Sequence, residues 1–249
     1  MPVHLAPNSQ LLAAHLLAFL LVVVGPVWDY FDTRSLKAHP SPQLRLRYYR
    51  QTSVWLWIAT GVACWASGVG ALLTTRGIGI HAAWMVRHGW VWWLLVGLVS
   101  LVVLLQLALP VIQVSVKYRN RAFLEPRQFE PLRFFLPSSS LERRWFAALS
   151  LTAGFCEELL FRGFLLRYLH TAPFHLGFGW AALAAALVFG TYHFYQGVKG
   201  FISTSIGGLI FTAILLVTGS LWAGMIYHAA ADLSLLLYWR PKPTASDAG

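Results

Sequence analysis

The sequence predicts an all-α fold, a polytopic transmembrane bundle of about seven spans with room for an eighth, flanked by interfacial amphipathic segments. Three observations predict it. The 249 residues are 57% hydrophobic and 11% charged, with a mean hydropathy of +0.60, whereas a soluble domain carries about a quarter charged residues. The apolar residues fall in runs near the roughly 20 residues that cross a bilayer. Lys and Arg, 19 against 9 acids, gather between those runs. Basic charge placed this way reads as topology and anionic-lipid contact, not as a nucleic-acid surface.

The predicted spans are 10–28, 53–75, 90–115, 145–169, 177–195, 200–217 and 220–239. The first is expected to be a true span and not a cleaved leader: no Lys or Arg precedes it and no small-x-small site follows it, since the flank runs Trp28-Asp29-Tyr30-Phe31-Asp32. The third is the cleanest, with Trp90, Trp92 and Trp93 heading an aliphatic run. The last two are parted only by Thr218-Gly219-Ser220, which suits a helical hairpin. Cys64 and Cys156 lie in apolar runs and imply no disulfide framework.

Loop charge orients the chain. Arg34, Lys37, Arg45, Arg47 and Arg50 occupy the first loop, and Lys117, Arg119, Arg121, Arg127, Arg133, Arg143 and Arg144 the third. Lys199, Arg240 and Lys242 fall on the same side, against only Arg76, Arg87 and Arg167 on the other. This bias places the N-terminus outside and the C-terminus in the cytoplasm, and the short loops and C-terminus make a bacterial inner membrane the expected location. Gln43 to Gln51 and Arg119 to Arg144 mix aromatic and aliphatic residues with arginine, and read either as amphipathic segments on the inner leaflet or as solvated connectors. Residues 1–140 form an N-terminal region of three spans plus basic loops, 141–240 a second transmembrane unit, and 241–249 a tail expected to be disordered.

The fourth span contains Glu157, Glu158 and Arg162. Each charge inside a bilayer costs at least about 2.5 kcal/mol on the insertion scale. Glu158 and Arg162, four apart, can pair on one helix face, a structural reading. Glu157 projects about 100° away and has no local partner. The fifth span ends Phe189-Gly190-Thr191-Tyr192-His193, and the seventh carries His228-Ala229-Ala230-Ala231-Asp232, with His228 and Asp232 on one face. The alanines thin that helix and permit close approach of a neighbour. No acid lies in the first three predicted spans, and His15 there reads as a hydrogen-bonded packing residue. Packing alone does not require Glu157, His193, His228 and Asp232 in lipid, and an unpartnered carboxylate in that setting suits a general base or acid. Cys156 sits beside Glu157 but points away from it, and a thiol in an apolar helix is usually inert.

Together the three signatures resemble the CAAX protease and bacteriocin-processing family of membrane proteins, also called CPBP or ABI. Its pattern is E-E-x-x-x-R, F-x-x-x-H and H-x-x-x-[ND] on successive transmembrane helices. Here these stand as Glu157 to Arg162, Phe189 to His193 and His228 to Asp232. The resemblance covers about 145–235 and marks 141–240 as the catalytic unit. It implies an intramembrane endopeptidase, acting on a membrane-anchored protein or peptide, related to the enzyme that removes the tripeptide after a prenylated cysteine. Glu157 would activate water, His193 would help to hold it, and His228 with residue 232 would stabilise the oxyanion. Glu158 and Arg162 would support the site. The prenyl-protein proteases carry Asn in the last motif, and an ionised Asp232 cannot donate to an oxyanion. Asp232 would then orient His228, stay protonated, or join Glu157, His193 and His228 as zinc ligands. The metal-independent glutamate mechanism, with no cofactor, is the expectation; zinc is the alternative. A non-enzymatic scaffold or bacteriocin-immunity protein of the same fold, and a proton or ion relay, are the rival functions.

Overall fold

The chain folds, in a computed structural model, into seven principal helices among the described residues, which are 8–77, 89–119, 132–171 and 173–239. Helix α1 runs Asn8–Ala38, α2 Pro42–Ser67 and α3 Gly89–Arg119. Helix α4 begins as Ser140–Glu157, passes through a π-helical stretch Glu158–Leu165 and ends as Leu166–His170. Then come α5 Phe178–Thr191, α6 Gly197–Thr218 and α7 Leu221–Tyr238. Each predicted span corresponds to one helix. The expected disordered tail 241–249 and most of the expected amphipathic stretch in the third loop lie outside the described residues.

Large apolar side chains point outward along the helices, Leu12, Phe19, Trp55, Trp90, Leu104, Trp180 and Ile226 among them. Glu142, Glu158, Arg162 and His228 are buried inside. Apolar groups facing out and charges facing in suit a bilayer solvent. Helices Asn8–Ala38 and Phe194–Thr218 are each long and apolar enough to cross a membrane.

Among the predicted boundaries that the structure shifts, two bear on the charged residues of the first loop. Helix α1 continues ten residues beyond the predicted span, so Asp29 and Asp32 are helical. An apolar window ends at the first charges, but a helix satisfies its own backbone and continues past them. Likewise, Gln43 to Gln51 is not a separate interfacial segment. It is the first part of α2, opened by Ser41, whose hydroxyl accepts from the Leu44 amide, and by Pro42 at the first turn.

That correction relocates Arg45. It is buried, and its Nε donates to Glu142 Oε1 at 2.9 Å while Nη2 donates to Ser138 Oγ at 2.8 Å. Glu142 closes a capping box at the start of α4: Ser139 Oγ accepts from its amide, and its carboxylate accepts from the Ser138 and Ser139 amides. Arg143 donates to the Leu236 and Trp239 carbonyls at the end of α7, where cations suit the helix dipole. These arginines fasten one end of the bundle, called the basic end below.

Burial alone would raise the Glu142 pKa, but hydrogen bonds from Ser138 and from the Arg45 guanidinium outweigh it and hold the carboxyl below the usual glutamate range. A lowered folded-state value stabilises the protein fully above the unfolded value of about 4.3, and that stabilisation is lost as pH falls through the folded value. Thermal midpoints in detergent should therefore fall on acidification below about pH 4. Glu142→Gln should lower the midpoint at neutral pH and flatten that acid limb. An unchanged acid limb in the variant would assign the slope elsewhere.

Small residues let the C-terminal helices meet. A Cβ on Gly154 would lie 2.6 Å from the Ala229 amide nitrogen, so α4 and α7 touch backbone to backbone beside His228. The alanines of α7 were expected to allow such an approach, and Ala229 does. Between α5 and α6, Gly190 faces Ser205 and Gly208 faces Ala186 at comparable closeness.

Candidate active site

The site forms where α4, α5 and α7 converge. Glu157 is the last residue before the π-helical stretch, and Glu158 the first within it. All eight residues of that stretch are buried, and the Leu166 amide at its end reaches back to the Phe161 carbonyl. Such widened turns recur at functional sites.

Glu158 pairs with Arg162 as expected, Oε1 accepting from Nη1 at 3.0 Å. It also does something the sequence does not show. The same oxygen accepts from His228 Nδ1 at 3.0 Å. Glu158 is acceptor-only when ionised, so Nδ1 carries a proton. Nε2 then points to the other side of the ring, where Glu157 Oε2 and Asp232 Oδ2 each lie 3.8 Å away. The orientation of His228 thus comes from Glu158, not from Asp232. Helical spacing exposes an i,i+4 pair within one chain segment, but it carries no information on which turn of α7 faces α4.

Arg162 sits between two rings, its guanidinium carbon 4.2 Å from the Phe189 centroid and 4.9 Å from that of Phe211. Cation–π attraction supplements the ion pair. Gly208 leaves the room Nη2 needs, since a Cβ there would stand 3.2 Å from it. Phe211 also stacks on His228, with centroids 4.7 Å apart. Phe189 has a visible purpose in its motif: its ring touches Arg162 and Phe161, and lies against His193 at 5.1 Å and His228 at 6.1 Å.

His193 follows α5 in a turn, its amide bonded to the Gly190 carbonyl and its Nδ1 3.2 Å from the Phe189 carbonyl. That bond requires a proton on Nδ1, which leaves Nε2 as the acceptor of the neutral ring. His193 joins the group through Phe189 and makes no direct hydrogen bond to Glu157, His228 or Asp232 among the described residues.

Exposure grades across the cluster. Side-chain exposure is 0% for Glu158, 9% for His228, 19% for Glu157 and 37% for Asp232. The cluster is closed at the Glu158–Arg162 end and open at Asp232. Asp232 lies one turn beyond His228 towards the C-terminal end of α7, which is the end that Arg143 caps. The site therefore opens towards the basic end. Two other residues behave as the sequence suggests: Cys156 is fully buried, and His15 is hydrogen-bonded to Tyr168 at 2.6 Å.

A histidine held between buried and accessible carboxylates thus lies inside a helical membrane bundle. Residues 140–234, the segment bearing all three motifs, match the family described as type II CAAX prenyl endopeptidase Rce1-like. The chain is an integral membrane protein, and its site-bearing segment is similar to the CAAX protease-like family that the motifs resemble. No curated protein and no solved structure matches the chain.

Proposed function

We propose that the protein is an intramembrane endopeptidase that hydrolyses a peptide bond of a membrane-associated protein or peptide near the membrane boundary, using water activated by Glu157. The observation that carries this reading is the convergence of Glu157 and Asp232 on His228 Nε2, at 3.8 Å each, while Glu158 holds Nδ1. A gap of 3.8 Å is too long for a direct hydrogen bond and suits a bridging water.

Glu157 takes one proton of that water, and the free Nε2 of His193 accepts a hydrogen bond from the other. The hydroxide oxygen bonds to the scissile carbonyl carbon. The developing oxyanion is met by Nε2–H of His228 as an imidazolium: with Nδ1–H given to Glu158, Nε2 donates only when the ring carries both protons, and Glu158 fixes the ring's orientation. Collapse of the tetrahedral intermediate breaks the C–N bond, and the proton held by Glu157 passes to the departing amine. Asp232, at the open rim, faces the incoming chain. Glu158 and Arg162 support His228 without touching the reacting atoms.

The version proposed is the one without metal, and zinc held by Glu157, His193, His228 and Asp232 is the alternative. The basic end of the bundle is assigned to the cytoplasmic face, with anionic lipids around Arg47, Arg50 and Arg144, and the membrane to a bacterial inner membrane. Cleavage then falls near the cytoplasmic boundary.

The test is substrate trapping. Membranes containing the wild-type protein and membranes containing Glu157→Gln are compared by mass spectrometry. One or more membrane-anchored chains should accumulate uncleaved in the variant and co-purify with it. Cleavage of that chain by wild type should persist in strong chelators. No accumulating chain would sink the protease reading, and chelator-sensitive cleavage would sink its metal-free form.

A further inference from the structure

The turn bearing His193 is anchored by a helix outside the family-matched segment. In the middle of α1 the helix widens into a π turn over Leu20–Val24, where the Gly25 amide donates to the Leu20 carbonyl. The Leu21 carbonyl would then take its proton from residue 26, five positions on. Residue 26 is Pro and has no N–H. A buried carbonyl without a donor is costly. The Tyr192 hydroxyl supplies the missing bond, donating to the Leu21 carbonyl at 2.8 Å. Gly25 makes the approach feasible, because a Cβ there would stand 2.0 Å from that oxygen. On its other side the Tyr192 ring meets Phe161 of the π stretch in α4, with centroids 5.6 Å apart.

Three features thus meet at one tyrosine: a carbonyl opened by Pro26, a gap left by Gly25, and a ring braced on α4. Tyr192 directly precedes His193. We propose that Tyr192 is a positioning residue, which fixes the His193 imidazole by docking its turn onto α1. The N-terminal helix is on this view part of the active-site frame. The proposal rests on the reading of His193 as a working residue, but its placement is measurable without any substrate.

The experiment uses the full chain in detergent micelles with isotope-labelled histidine, and His193→Gln to assign the His193 ring signals. Tyr192→Phe keeps the ring and removes the donor. The His193 signals should shift or broaden, the thermal midpoint should fall, and turnover of any trapped substrate should drop at least about tenfold with little change in KM. Adding Pro26→Ala to Tyr192→Phe returns a backbone donor to the Leu21 carbonyl. The midpoint should then recover while the His193 signals stay displaced. Gly25→Ala, which pushes the hydroxyl away, should displace the same signals and provides the result if Tyr192→Phe does not fold. Unmoved His193 signals in Tyr192→Phe or Gly25→Ala would overturn the proposal. So would recovery of both midpoint and signals in the double variant, since Tyr192 would then serve stability alone. Displaced signals in a protein that cleaves nothing would uphold the positioning role and reject the protease instead.

Discussion

Glu157→Gln is expected to reduce peptide cleavage by about 10²- to 10⁴-fold, the usual contribution of a general base, with the fold intact. The amide preserves the volume of the side chain. In the structure the Glu157 carboxylate makes no hydrogen bond within 3.5 Å to another described residue that the substitution would break. The variant should therefore elute and melt like wild type, and the loss should appear in kcat rather than KM. Asp232→Asn makes the informative contrast. Because Glu158 already orients His228, the Asp232 carboxylate is not needed for the tautomer. Asn at this rim position adds a donor, so activity should stay within about tenfold of wild type. Equal and severe loss in both variants would mean that the two carboxylates act as one unit, and the assignment of the base to Glu157 alone would fail.

The sequence exposes some links of this site and hides others for physical reasons. Span positions follow from the cost of putting polar groups in lipid, and all seven have their helix. The Glu158–Arg162 pair follows from helical spacing within one segment. The partnership of Glu158 with His228 depends on how deeply α4 and α7 slide past one another, which is set by Gly154 against Ala229. The π stretches over 20–24 and 158–165 have no side-chain signature of their own, although Pro26 marks the first in retrospect. In the sequence Arg45 falls among the loop charges, because nothing in its neighbourhood pairs with it. Its partner, Glu142, is 97 residues away. The S-x-x-E signature at Ser139 to Glu142 was available in the sequence and places the start of α4 five residues before the apolar run begins.

Glu158→Ala is expected to be the most damaging single change to the fold. It leaves Arg162 buried without its paired carboxylate, and breaking one side of such a pair costs about 3–5 kcal/mol. The two flanking rings attract the guanidinium but offer it no acceptor, and Nη2 has no hydrogen-bond partner among the described residues. The same change removes the acceptor of His228 Nδ1. On the proposed mechanism stability and chemistry both depend on one oxygen, and the double variant Glu158→Leu with Arg162→Met separates them. Apolar replacement of both partners of a buried pair is often neutral or stabilising. The double variant should melt close to wild type in detergent, yet its turnover should stay about 10²-fold or more below wild type, because a misplaced His228 no longer meets the oxyanion. Recovery of turnover along with stability would show that the pair holds only the helix and that His228 finds its orientation without it. A double variant that remains unstable would place the chief structural role of Glu158 in its bond to His228, which ties α4 to α7, and not in its pairing with Arg162.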